Sequence, residues 1–159
     1  MGKTLASVNA IKTLISTNHA NDFDLITKSM RDIFGALQAA QVDRGNACDS
    51  ACLVAPRFDT NAVFSQVTGK RVSSSLGVSV FLVVNQKGRT IDGSMNYEAK
   101  IELLLNLVDT VAATLDGATP TDGTNFYKLQ IGTIQDIPDV TEGFVALEIP
   151  IDLSITRAS

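Results

Sequence analysis

From Phe144 to Ile155 the chain alternates. Val145, Leu147, Ile149, Ile151, Leu153 and Ile155 are apolar, while Phe144, Ala146, Glu148, Pro150, Asp152 and Ser154 stand between them. A period of two predicts one long closing strand, with an aliphatic face and a face that carries two acids and a proline. Pro150 has no backbone N–H, so it marks an edge, a bulge or the end of a paired stretch. Charge and proline on an edge restrain uncontrolled strand addition, and the same edge can instead meet a neighbouring subunit in a defined register. The alternation is silent on which of the two applies.

Other stretches follow the helical period. Val8, Ile11, Lys12 and Ile15, widened by Leu5 and Leu14, predict a helix over residues 4–17, and the polar run STNHAND ends it. Asp22 is placed to cap a second helix with the stripe Ile26, Met30, Ile33, Phe34 and Leu37, weakened late by Gly35. QVDRGNACDS reads as a loop and ACLVAPRF as a strand or its stub. After a bend at Gly69-Lys70, the alternation Val72, Ser74, Leu76, Val78, Val80, Leu82, Val84 predicts one long strand. Its second face starts small and polar and ends apolar, so it is half-buried at first and more fully buried later. Residues 97–115 give the clearest helix, with Asn96 as N-cap and Gly117 at its end. Its stripe is Ile101, Leu104, Leu105, Val108, Val111, Ala112 and Leu115, with Leu103 and Leu107 off it. FYKLQIGTI and the closing strand then form an antiparallel hairpin across the loop QDIPDVTEG, of roughly eight residues.

The order helix, helix, strands, helix, strand, strand predicts an α+β fold. Helices pack on one face of a largely antiparallel sheet: two N-terminal helices, one central helix and a closing β-hairpin. With 159 residues and no repeat or linker, a single domain over 1–159 is expected. A composition 45% hydrophobic and 19% charged excludes a disordered chain. No apolar run approaches the ~18 residues of a membrane helix, and no signal peptide is evident, so synthesis in the cytoplasm is expected. Residues 1–80 carry 8 Lys/Arg against 6 Asp/Glu, and residues 81–159 carry 5 against 11. The acidic second half argues against broad binding to a phosphate backbone.

Candidate chemistry is sparse. Gly2-Lys3-Thr4 ends like a phosphate-binding loop but lacks the upstream glycine and strand, and Gly69–Arg71 lacks the same cradle. Cys48 and Cys52 with the single His19 fall short of a zinc set; free thiols beside a strand are the simpler reading. His19, in a polar inter-helix loop, has no evident nucleophile, and Ser73–Ser75 sit on a strand's polar face. Asp136, Asp139 and Glu142 gather in the hairpin loop and Glu98 and Glu102 on the helix, at intervals unsuited to a calcium loop. No catalytic residue, metal or cofactor is expected.

The element order resembles that of the tail-terminator proteins of long-tailed bacteriophages, the family of the lambda gene U product. VSVFLVVNQKG, the helix YEAKIELLLNLVDTVAATLDG and the ending FYKLQIGTIQDIPDVTEGFVALEIPIDLSI carry the resemblance, over roughly residues 50–156. The chain departs from the smaller members in having two N-terminal helices where they have one. Residues 1–20 therefore read as a helical extension that contacts a neighbour, or as an elaboration of the core. The resemblance implies a virion protein of the tail and neck. It would be a homo-hexameric ring that binds the last ring of the tail tube, stops its polymerisation and offers a surface to the head-completion or connector protein. DNA would be only passing cargo, and no membrane is involved. The interface candidates are Gln86, Lys87 and Arg89 in the strand-exit loop and Asp136, Asp139 and Glu142 in the hairpin loop. Glu148 and Asp152, on the closing strand, complete the set. Two alternatives stand beside this: another neck component such as a stopper, and a small oligomeric α+β enzyme or ligand-binding domain with a concave pocket.

Overall fold

The computed structural model describes residues 3–28, 50–57, 62–64, 71–74, 76–85, 97–137 and 144–157. They form an α+β fold in the order α1 (Lys3–His19), β1 (Leu25–Lys28), β2 (Ser50–Arg57), β3 (Ala62–Phe64), β4 (Arg71–Ser74), β5 (Leu76–Asn85), α2 (Tyr97–Leu115), β6 (Asn125–Ile131), β7 (Gln135–Ile137) and β8 (Phe144–Arg157). The main sheet runs β1-β2-β5-β8-β6, and β7 pairs with β8 beyond the end of β6. All its pairings are antiparallel except β1 with β2. A separate two-stranded ladder joins β3 and β4.

The apolar face of β8 is the face the alternation predicts. Ile149, Ile151 and Leu153 lie in one core with Cys52 and Val54 of β2, Val78, Val80, Leu82 and Val84 of β5, and Tyr127 and Leu129 of β6. Both helices close this face: Ile11 and Ile15 come from α1, and Leu104, Leu107, Val108, Val111 and Leu115 from α2. Each such aliphatic side chain, taken from water, contributes about 1.5–3 kcal/mol before entropy is counted. The opposite face has a smaller core of Ala51, Leu53, Ala55, Phe81, Val83 and Ala146, with Leu25 and Ile137 packed against it. Strand β2 is thus buried on both sides, which its unbroken apolar run ACLVAP allows.

Four local expectations are corrected. Leu25–Lys28 is a strand, not the start of a helix capped by Asp22. Asp24 N donates to the Ser50 carbonyl at 3.0 Å and Ser50 N to Asp24 Oδ2 at 3.2 Å, which locks β1 alongside β2. Pairing with a buried strand, and the β-branched Ile26 and Thr27, outweigh the helical spacing here. The remainder of that expected helix, Met30 to Leu37, lies outside the described residues. The single strand expected from Val72 to Val84 is two: Arg71–Ser74 pairs with β3, and Leu76–Asn85 pairs with β2 and β8. His19 is the last residue of α1 rather than a loop residue. It is buried, with Asp22 Oδ2 at 2.8 Å from Nδ1 and Thr114 Oγ1 at 2.7 Å from Nε2, and so ties the end of α1 to α2. On α2, Leu107 is buried while Ile101 and Leu105 are exposed, so the core stripe is rotated from the expected one.

Candidate functional site

The outer face of β8, with Glu148, Pro150 and Asp152, is assembled from three strands. The register sets Arg57 of β2 opposite Gly77 of β5, and Gly77 opposite Asp152 of β8. Across this row the Arg57 side chain lies over Gly77 and pairs with the Asp152 carboxylate, while its Nη2 also donates to the Ile151 carbonyl at 3.1 Å. Glycine leaves room for this arrangement: a Cβ on Gly77 would stand 2.5 Å from Arg57 Nε and push the guanidinium aside. One step along, Ser79 Oγ donates to Glu148 Oε2 at 2.6 Å, a diagonal contact on the same face. Both acids of the closing strand are therefore engaged within the chain, one by a cation and one by a hydroxyl. The outer face is graded, from the apolar cluster around Leu53 and Phe81 to this polar end.

Pro150 sits in the interior of the sheet, at the end of one paired stretch. On one side β8 pairs continuously with β5. On the other, the β6 pairing ends at Ile131–Ile151 and the β7 pairing begins at Gln135–Glu148. The Pro150 carbonyl accepts from Gly132 N at 2.8 Å, so the imide nitrogen faces this same side. The missing N–H falls at the gap between β6 and β7 and costs no bond to β5. Gly132 fits there because a Cβ would come within 3.2 Å of the proline ring.

The expected sites part company. Glu148 and Asp152 share the outer face. Asp136 belongs to β7 rather than to a hairpin loop, and it stands opposite Leu147, on the face that bears the helices. Asp136 is exposed there and the sheet separates it from Glu148. Gln86, Lys87, Arg89, Asp139 and Glu142 lie outside the described residues, as do Cys48 and the N-cap Asn96. Cys52 is a free thiol in the core, and burial pushes its pKa far up.

Sequence reasoning missed a clasp at the sheet's β6 edge. The segment after α2 turns back along β6: Tyr127 N donates to the Pro120 carbonyl at 2.9 Å and Leu129 N to the Ala118 carbonyl at 3.1 Å. Asp122 holds this turn. Its Oδ1 accepts from Thr124 N at 2.8 Å and Asn125 N at 2.7 Å, and its Oδ2 accepts from the buried Tyr127 hydroxyl. The Tyr127 hydroxyl first, then these amides, holds the Asp122 carboxyl well below the usual range. Burial, reinforced by Asp122, pushes Tyr127 up to about 12. Gly123 takes φ 95°, which favours glycine. The Asp-Gly pair in TPTDGTN is the signal that could have revealed it. Beside this clasp is an open cleft of about 440 Å³, lined by Asn9, Thr13 and Thr17 of α1 and by Pro120–Asp122. Among the described residues, no three His, Cys, Asp or Glu side chains converge as a metal site would require. Nor is any described helix long and apolar enough to cross a membrane.

No protein-family model matches the chain, and no curated protein matches it. Among solved structures, its fold is similar to that of a chain in the virion of a native gene transfer agent particle. The TM-score is 0.56 at 7% sequence identity, with 99% of this chain and 100% of that chain covered. At so low an identity the likeness is one of fold, and it runs from end to end.

Proposed function

We propose that this protein is a structural virion component that forms a ring on the head-proximal end of a phage tail tube, ends tube polymerisation and presents the surface to which head-completion proteins join. The observation that carries the reading is the end-to-end fold likeness to a chain of a virion particle. The strand–helix–strand–strand order of β5, α2, β6 and β8, on which the resemblance to tail terminators rests, agrees with it. The action is steric: one side of the ring matches the last tube ring, and the other offers no further tube-binding surface. A ring of identical chains arises from a heterologous contact whose rotation closes. The deficit of basic residues in the second half of the chain suits a lumen through which DNA passes without adhering.

The test is the solution mass by light scattering, with negative-stain images, before and after tail tubes are added. A closed ring that caps one end of the tubes and halts their growth is expected. Tubes that elongate unhindered while the ring binds head connectors would transfer the reading to a stopper. A compact dimer with a ligand in the α1 cleft and no affinity for tubes would overturn it.

A further inference from the structure

Helix α2 leaves an apolar flank uncovered. Ile101 is 41% exposed and Leu105 53% exposed. Leu105 is nine positions before Thr114, about two and a half turns, so the two side chains leave the helix on opposite sides. Thr114 meets His19 of α1, and Leu105 therefore faces away from α1. Glu102 and Asp109 are exposed next to it, three residues before it and four residues after it in the helical repeat. The flank is thus an aliphatic ridge bordered by carboxylates.

This border decides what can cover the ridge. Two copies meeting α2 on α2 about a two-fold axis would set the carboxylates Glu102 and Asp109 of one copy against those of the other, which is repulsive. Helix α1 has the opposite character. Its sequence KTLASVNAIKTLISTNH contains two lysines and no acid, with Leu5 48% exposed. Leu5 and Lys12 are seven positions apart, close to two whole turns, so they share one side of α1. One helix offers a leucine with a lysine, and the other offers a leucine with carboxylates.

We infer that the outer flank of α2, through Ile101, Leu105, Glu102 and Asp109, seats on the Leu5–Lys12 side of α1 in a second copy of this chain, as a head-to-tail contact. This rests on the ring proposed above and names the surfaces by which it closes. A contact between two different faces leaves each copy with one free face of either kind, so copies add in one direction until the ring shuts.

The test compares the full-length protein with Leu105→Glu, with Glu102→Lys/Asp109→Lys, and with that double variant carrying Lys12→Glu as well. Solution mass is measured alone and on added tail tubes, and thermal melting checks that each variant folds. Leu105→Glu and the double reversal should each raise the half-assembly concentration by more than about tenfold. Adding Lys12→Glu to the double reversal should recover most of that loss. If the native chain forms rings and Leu105→Glu forms them equally well, this contact is overturned while the ring stands. If Leu105→Glu rings form but no longer hold tubes, the flank meets the tube protein and the self-contact is wrong. A native chain that stays monomeric both alone and on tubes overturns the ring and the contact together.

Discussion

The two faces of the sheet are made by the same strands, yet they treat polar side chains in opposite ways. Towards the helices, β5 and β8 place only aliphatic residues at the described core positions, and these join one apolar cluster. Away from the helices, the same strands place Ser79, Glu148 and Asp152 within a few residues of Leu53, Phe81 and Ala146. The inner face obtains its stability from burial, which is non-directional and tolerates small shifts of side chain. The outer face obtains its order from register, because Arg57, Gly77 and Asp152 meet only if three strands are aligned to the residue. One face holds the fold together, and the other records how its strands are aligned.

The contrast can be broken most severely from the inside. Ile151→Asp would bury a carboxylate with no partner among the aliphatics of β5 and α2, at a cost of several kcal/mol. Loss of the cooperative denaturant transition is the expected outcome; native-like stability would mean the inner face is wrongly assigned. On the outer face a far smaller change should be felt in a different way. Gly77→Ala forces the guanidinium of Arg57 aside, and because that side chain is flexible the cost should be about 1 kcal/mol, at the low end of overpacking. The Arg57–Asp152 pair should be lost at the same time. Combining Gly77→Ala with Asp152→Ala should then add almost nothing, since the exposed pair is worth under about 1 kcal/mol.

The smallest effect belongs to the clasp at the β6 edge, where the exposed Asp122 meets the core only through the Tyr127 hydroxyl. Asp122 has a folded pKa depressed below its unfolded value, so its stabilisation is present above the ordinary carboxylate range and fades as the pH falls through and below that range. Asp122→Asn should therefore lower the melting temperature at neutral pH and converge with the native protein in strong acid. A difference that persists unchanged at low pH would assign the clasp to hydrogen-bond geometry rather than charge.

Much of this was legible in the sequence, and the reasons for what was not are specific. The faces of β8 follow from period two alone, because a strand with one face in a core cannot slip by one residue without exposing six aliphatics. The ends of α2 were legible from a long periodic stripe and Gly117. The break between β4 and β5 was not, since the alternation passes from Ser74 to Leu76 without a proline or glycine, and a change of pairing partner leaves no mark on it. Strand β1 was hidden because four residues of LITK also fit a helical stripe, and its conformation is settled by Ser50, far along the chain. Ile101 and Leu105 looked like core because a stripe gives the direction of burial and not its width. Of the candidate site, Glu148 and Asp152 could be placed on one face in advance. Their partners Ser79 and Arg57 come from other strands, and only the register reveals them.

The return of residues 118–122 along β6 bears on how this protein can be built into anything larger. Along Asn125–Leu129, where the outer amides are already taken by the chain itself, β6 cannot be extended by a foreign strand. At that border, neighbours must meet side chain to side chain. Strand addition would tie the angle between neighbours to the fixed spacing and twist of a continuing sheet, about 4.8 Å from strand to strand. A side-chain contact carries no such constraint. In any assembly that meets at this border, the turn that Asp122 holds would thus leave the angle between molecules to the shapes of their surfaces, which point substitutions can adjust in small steps.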